Sequence, residues 1–489
     1  DGAVVLGNES TAEANDVSPA VNSGAVAPVG GAVSVGKTGG ERQIKHLAGG
    51  TSDTDAVNVK QLKSGLASVQ THYYSVNDNG TPKANYNNDG ATGVNALAAG
   101  VGTKAIGNNS VAMGTDAEAT DLKNTAIGYK AKTDGQYATA IGSDAVAASG
   151  RDTAVGYKAE ATGGNSTAVG NNVTASGNRS VALGYATKAI GGQSVAIGDN
   201  AETGAGARSA IAIGDEAKAA NSRSIAIGKD ANTNEATDAI AFGNGANVNN
   251  RHGIAMGIGA TSVGDSALAI GSGSQANGLY TVAMGKNAQA LHLEAVAIGK
   301  GAIAKDGKAV SIGSENIASG DGAVAIGDPN VATGAGAVAI GKDNTATGIG
   351  AIALGNESLA TKDSNIALGN KAQATGNQSI AQGSHAKAFG SQSIAQGTYA
   401  KAIGNYSLAE GYFSEATRSG AIAYGQNAKS THANSVALGS GSVADGSTLS
   451  TAAYQPLDTN GNPIAVTAPT AKSEVSVGAV DKERRITNV

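Results

Sequence analysis

Short bursts of alternating bulky and small residues run along most of the chain, each closed by a glycine: Val111-Ala112-Met113-Gly114, Ile225-Ala226-Ile227-Gly228, Val436-Ala437-Leu438-Gly439. Alternation with period two predicts strands, because successive strand side chains point to opposite faces. One face of each burst carries Val, Ile, Leu or Thr three residues before the glycine; the other carries Ala in every burst except the one holding Ser311. Ala also predominates three and five residues after the glycine, as at Ala117 and Ala119 or Ala386 and Ala388, alternating with polar residues such as Asp116 and Glu118. That second pattern predicts another short strand with one dry and one wet face.

The glycines keep a strict interval. From Gly114 to Gly439 there are 24 of them, 14 residues apart except for Gly198 to Gly214 (16) and Gly228 to Gly243 (15). Such a period marks a solenoid of stacked coils rather than a globular core. A 14-residue coil has room for two short strands and two turns, so the small faces can meet in a thin two-sided roll. The Val and Ile row is then left facing outward. Some two dozen layers of it exceed what a soluble monomer exposes, so the pattern predicts that another copy covers the stripe. At about 4.8 Å per coil the rod would be roughly 110 Å long. The two longer coils are expected to place their extra residues, within Thr203 to Ser209 and Ala231 to Ala239, in outward bulges.

The ends carry a longer repeat. Val33-Ser34-Val35-Gly36 through Glu41-Arg42 and Ile44 reappears 442 residues later as Val475-Ser476-Val477-Gly478 through Glu483-Arg484 and Ile486. Ala3 to Gly7 resembles Ser435 to Gly439, the end of the last coil. The expectation is an excerpt from a tandem array: the end of a preceding unit and connector over 1–32, a neck and short coiled coil over 33–70, and a lead-in over 71–99. The roll itself is expected over 100–446, an irregular connector over 447–474 and the start of the next neck over 475–489. Within the neck, Asp55-Ala56-Val57-Asn58-Val59-Lys60-Gln61-Leu62 follows a Thr/Ser/Asp cluster suited to capping a helix. Val59, Leu62, Leu66 and Val69 form a seam with coiled-coil spacing, too short to be stable without partners.

Composition narrows the chemistry. With 72 Gly, no Cys, no Trp and 3% aromatic residues, the interior must be narrow, and neither a disulfide framework nor a thiolate metal site is possible. Thirty-four basic against 39 acidic residues leave a net charge of -5 with no basic run, which argues against a nucleic-acid partner. Neither a signal peptide nor an apolar stretch of membrane-spanning length is present, so the chain as it stands is not expected to export or anchor itself.

Gly31 to Thr38 satisfies the phosphate-loop pattern, but Gly39-Gly40 stands where its helix should begin. Six histidines share no spacing and no neighbouring carboxylate pair, and read as solvated, as do Arg208, Arg223 and Arg251. No catalytic residue, metal ligand or cofactor is expected.

The Ser-Val-Ala-Ile-Gly coils (Ser194 to Gly198), the Asp55 to Leu62 segment and the His72-Tyr73-Tyr74-Ser75-Val76-Asn77 lead-in resemble the YadA-like heads and necks of trimeric autotransporter adhesins of Gram-negative bacteria. The resemblance implies an all-β fold: a left-handed parallel β-roll solenoid of 14-residue coils, trimeric, with a short α-helical coiled-coil or neck segment. In that neck Asp55, Ala56, Val57, Asn58, Val59, Gln61 and Leu62 would hold a homotrimer together. It further implies a non-enzymatic adhesin on the bacterial cell surface, with a signal peptide, further stalk and outer-membrane barrel elsewhere in a longer protein. Its partners would be an extracellular host protein, other bacterial cells or an abiotic surface, with biofilm or aggregation as the outcome; the alternative is a spacer that projects a ligand site located elsewhere. One departure stands out. Gln382, Gln396 and Glu410, followed by Tyr424, occupy the apolar position before the glycine. Either the interface is locally wet, with bridging waters, or symmetry-related polar side chains fix register or hold a small ion.

Overall fold

Backbone contact between glycines decides how one coil sits on the next. A computed structural model describes residues 3–12, 32–68, 75–451, 454–465 and 470–487. In it Gly341 has φ of +123°, and a Cβ there would lie 2.0 Å from the carbonyl oxygen of Gly355, the anchor glycine of the following coil. Both the left-handed backbone and the close approach exclude a side chain, which accounts for glycine at each anchor. Two residues further on, the chain turns through a second left-handed residue that need not be glycine, such as Lys130 (φ +53°) or Asp144 (φ +55°). Its N–H is spent on the stack: Lys130 N donates to Thr115 O at 2.9 Å and Asp144 N to Tyr129 O at 2.8 Å.

These turns separate two strand ladders. The first is built from anchor strands such as Ile211–Ile213, Ile225–Ile227 and Ile240–Phe242, parallel and in direct register, Ile211 beside Ile225 beside Ile240. It opens at Leu97–Ala99 and continues to Val436–Leu438, on which Val475–Ser476 pairs as a last rung. The second ladder holds two-residue strands such as Glu118–Ala119 and thins to isolated bridges, Lys218 to Asn232 to Asn247, beside the 15-residue coil. The result is an all-β parallel solenoid of about 25 coils with one short α-helix.

The interior is the meeting of the two small-residue faces: Ala112, Ala117 and Ala119, and their equivalents along the rod, are fully buried. The longer coils add a turn at a corner. Ala207 N donates to Gly204 O at 3.0 Å, Ala207 and Ala236 enter the core, and Ala205, Gly206 and Glu235 are pushed out to solvent.

Polar residues inside the roll close its turns. Ser194 Oγ donates to Gly191 O at 2.6 Å and Ser407 Oγ to Gly404 O at 2.6 Å, which satisfies carbonyls that water cannot reach. Asn316, Asn330 and Asn344 replace Ala three residues after the anchor glycine and form a buried ladder. The Asn330 Nδ2 donates to Gly341 O (2.7 Å), and its Oδ1 accepts the Asn344 N–H (3.0 Å). Anchor strands in this stretch run to five residues, as in Val338–Lys342, and the carboxamides tie the glycine carbonyl of the next coil into the stack.

The chain divides into two compact units, Asp1–Asn77 and Asp78–Val489. In the first, Val4–Val5 pairs with Val33–Ser34, and Arg42 Nη1 donates to Ser10 Oγ (2.6 Å) and Val35 O (2.9 Å) while Nη2 reaches Asn8 O. The second unit repeats the arrangement: Arg484 Nη1 donates to Ser442 Oγ (2.9 Å) and Val477 O (2.6 Å), and Nη2 to Ser440 O. The repeat of 442 residues is therefore a repeat of an arginine clamp.

The helix runs over Val59–Ser68. Its cap differs from expectation: the Thr/Ser/Asp cluster does not cap it, and Asn58 does, accepting the Gln61 N–H on Oδ1 at 2.9 Å. Gln61 answers by accepting the Asn58 N–H at 3.4 Å, a reciprocal capping box. Val69 of the expected seam lies outside the described residues.

Replacing Gly341 by Ala is expected to lower the thermal midpoint of the roll, since backbone strain of about 1–3 kcal/mol adds to a backbone clash. Gly336, at φ +63° with open space around its Cβ position, should accept Asn with a change within about 0.5 kcal/mol. Thermal unfolding followed by circular dichroism separates the two.

Candidate functional site on the outward stripe

In an anchor strand Ala points in, so the residues on either side of it point out. Met113, Leu183, Phe242, Met256 and Leu438 are each more than two fifths exposed, and the Val and Ile between them are half-buried against their own neighbours. Direct register stacks them into a continuous column, Ile213 on Ile227 on Phe242 on Met256. An apolar surface this long is a docking face rather than ordinary scatter.

Gln382, Gln396 and Glu410 belong to this column. Leu368 pairs with Gln382, Gln382 with Gln396, Gln396 with Glu410, and Glu410 with Tyr424, so three polar side chains occupy successive rungs between apolar ones. Gln382 and Gln396 are exposed and Glu410 is half-buried.

The neck residues form a second site. Asp55 accepts from Thr51 N (2.7 Å) and Ser52 N (3.0 Å) and closes a tight turn, while Gln61 brackets Gly50 with two hydrogen bonds, accepting from its N–H (2.9 Å) and donating to its carbonyl (2.8 Å). Asn58 Nδ2 donates to Leu47 O at 3.2 Å. The polar residues thus fold the segment back on itself; Val57, Val59, Leu62 and Leu66 are left mostly exposed, a seam with nothing yet on it. His72, Tyr73 and Tyr74 lie outside the described residues.

The turn corners carry the remaining chemistry. His385, Tyr399 and Phe413 follow one another at the same left-handed turn position and stack with ring centroids 4.7 Å apart, and Tyr412 meets Phe413 edge-on at 4.5 Å. His252 departs from expectation: its Nδ1 is 3.5 Å from Asp265 Oδ1 and its Nε2 is 4.0 Å from Asp238 Oδ2, so it does have a carboxylate pair. Those partners are one coil away on either side, invisible to a search of near neighbours in sequence. Asp238 also takes a bidentate pair of hydrogen bonds from Arg223, 2.5 and 2.7 Å, which holds its carboxyl below the usual range. Among the described residues no group of three or more His, Asp or Glu side chains is arranged to hold a metal ion. The phosphate-loop pattern folds as a strand, Val33–Ser34, then turns; Lys37 Nζ pairs with Glu9 at 2.9 Å, and Gly31 lies outside the described residues. No helix among the described residues is long and apolar enough to cross a membrane.

Comparison with known families adds two matches. Residues 43–85 match the coiled stalk of trimeric autotransporter adhesins, and the YadA head domain repeat matches fifteen times, from residues 91–117 to residues 416–442, which together take in well over half of the chain. No curated protein matches it.

Hydrogen bonds from Thr51 N–H, Ser52 N–H and the Thr51 hydroxyl hold the Asp55 carboxyl below its ordinary range. A folded pKa below the unfolded one gives stability that is present above the unfolded value, near 3.9, and is lost as pH falls through the folded value. Acidification below about pH 4 should therefore lower the amide-exchange protection factors of Thr51 and Ser52, and Asp55→Asn should show reduced protection at neutral pH with that pH step removed.

Proposed function

Because this chain belongs to the trimeric autotransporter adhesins, its roll built of YadA head repeats, we propose that it is a non-enzymatic, surface-displayed segment that attaches bacteria to their surroundings. The observation that carries this reading is the outward apolar column. A rigid rod with a bare apolar face needs its own copies to cover it, and in the family those copies number three. In this reading three left-handed rolls stand side by side about one axis, with Asp55 to Leu62 gathering the three chains into a coiled coil. Gln382, Gln396 and Glu410 then form a polar band within the interface that hydrogen-bonds across the axis, directly or through water, and sets the axial register of the copies. Displayed in threes on a stiff shaft, weak and repeated contacts on the wet corners gain avidity against a dense target, whether host protein, another cell or an abiotic surface.

A spacer role is the second reading, favoured by the uniformity of the coils: the roll would lengthen a fibre whose ligand site lies elsewhere. Deleting residues 100–446 while keeping both connectors separates the two, since a spacer's loss shortens reach and an adhesive head's loss abolishes attachment.

Light scattering should give three times 47.4 kDa, about 142 kDa. The pair Ile326→Asp and Ile340→Asp, each placing a charge on the apolar column, should reduce this to the mass of one chain or cause aggregation. Beads coated with the trimer should adhere to matrix protein, cells or plastic better than uncoated beads; equal adhesion on every surface would refute the adhesive reading.

A further inference from the structure

The corner between the second strand of one coil and the anchor strand of the next carries its densest run of cations over one stretch, with single basic residues such as Lys362 and Arg418 further along. Lys123, Arg151, Arg179, Arg208 and Arg223 all lie in this turn and all are exposed. Lys123, Arg151 and Arg179 are 28 residues apart, two coils, which spaces them by about 9.6 Å. The row from Lys123 to Arg223 covers seven coils, roughly 34 Å. Three carboxylates share this corner within the row: Asp121, half-buried, accepts the Leu122 N–H (2.7 Å), and Asp134, half-buried, pairs with Lys132 Nζ (3.1 Å). Asp152 is fully buried and occupied: its Oδ1 accepts from Ser166 N and Oγ (both 2.8 Å) and its Oδ2 from Ser149 N (2.9 Å). Beyond Arg223 the same corner turns acidic with Asp238 and Asp265, and there the cations are paired, Arg223 with Asp238 and Arg251 with Asp265. The basic row is therefore bounded, and its inner members face solvent.

A shallow depression lies in the row, lined by Gln136, Tyr137, Gly150, Arg151, Gly164 and Asn165. Gly150 and Gly164 keep its floor bare. The Tyr137 ring stands in it with Lys123 Nζ at 5.3 Å and the Arg151 guanidinium at 5.8 Å. Burying this corner between copies would strip water from Lys123, Arg151, Arg179 and Arg208, which form no salt bridge among the described residues, although Arg208 donates to Gln193 Oε1 (3.3 Å), a large cost; covering the apolar column instead leaves the corner wet.

We propose that this edge binds an extended anionic polysaccharide, a chain that carries sulfate or carboxylate groups once per disaccharide. Its repeat is close to the two-coil step of the cations, its hydroxyls suit Asn165 and Gln193 between them, and the apolar face of a sugar ring suits Tyr137. Duplex DNA, with one charge per about 1.7 Å, is neutralised by far denser cations. Single-stranded nucleic acid needs several aromatic platforms, and this row has one. An acidic peptide would dock on an open strand edge, which this corner does not offer. The proposal rests on the adhesive reading and names the class of its target.

The test uses the full chain, with retention on immobilised heparin at low salt as the readout. Arg151→Gln, Arg179→Gln and Arg208→Gln together should weaken binding at least about tenfold and flatten its salt dependence. Lys188→Gln, Lys218→Gln and Lys429→Gln together remove the same charge from the exposed face of the second strands and should leave retention near the parent value. No retention of the parent chain, an equal loss in both triple variants, or tighter binding of duplex DNA or polyglutamate than of heparin would overturn the proposal. Light scattering checks that both variants keep the parent mass. If heparin is not retained while coated beads still adhere, the polysaccharide proposal falls and the adhesive reading stands; if the beads fail too, both fall.

Discussion

The rod depends on backbone meeting backbone once per coil, where an anchor glycine lies against the carbonyl of the next. That contact sets the coil spacing, and the spacing forces direct register, so every position in the 14-residue unit becomes a column along the shaft. Columns that face inward must be small or must hydrogen-bond within the stack, as the Asn316, Asn330 and Asn344 ladder does. Columns at the corners touch neither constraint. Lys, Asp, His, Tyr and Phe all stand at the same left-handed turn position, a conformation that costs such residues of order 1–3 kcal/mol in isolation and that the two flanking strands impose.

An interior of alanine methyl groups is a weak source of stability, since each buried methyl contributes only about 0.8 kcal/mol. The hydrogen-bond ladders prevent any loss on the polar side but add little net gain. The larger apolar groups, Ile, Val, Leu, Met and Phe, are on the outside. Fold and assembly are therefore one problem in this chain: the side chains most able to stabilise it do so when copies cover one another, as they do in the proposed trimer. The exposed seam of the helix repeats that logic at smaller scale, with polar residues shaping the neck and apolar ones held out for partners.

Much of this was legible in the sequence because the interval of the glycines states which residues are neighbours. Once Gly327 is known to sit beside Gly341, the inward Ala and outward Ile columns follow from alternation, and so do the outward bulges at the two longer coils. What escaped notice lies one coil away in space but far along the chain. His252 between Asp238 and Asp265 is invisible to a search for local clusters. The Asn ladder is masked because Ala predominates in its column, which three consecutive Asn rungs interrupt. The helix cap failed for another reason: several capping residues crowd the segment, and the reciprocal fit of Asn58 with Gln61, with Asp55 diverted to a turn, decides among them.

The ladder of anchor strands does not end on a bare edge. After the connector the chain returns, and Val475–Ser476 lies on Val436–Leu438, where Arg484 locks it; Val33–Ser34 and Arg42 do the same for Val4–Val5. Within the roll each coil meets only the coil before it and the coil after it. A duplication or loss of one 14-residue coil within the roll therefore keeps the backbone contact between anchor glycines and disturbs no lid, and changes only which side chains meet at the junction. The length of the roll can thus change in steps of one coil almost independently of the fold.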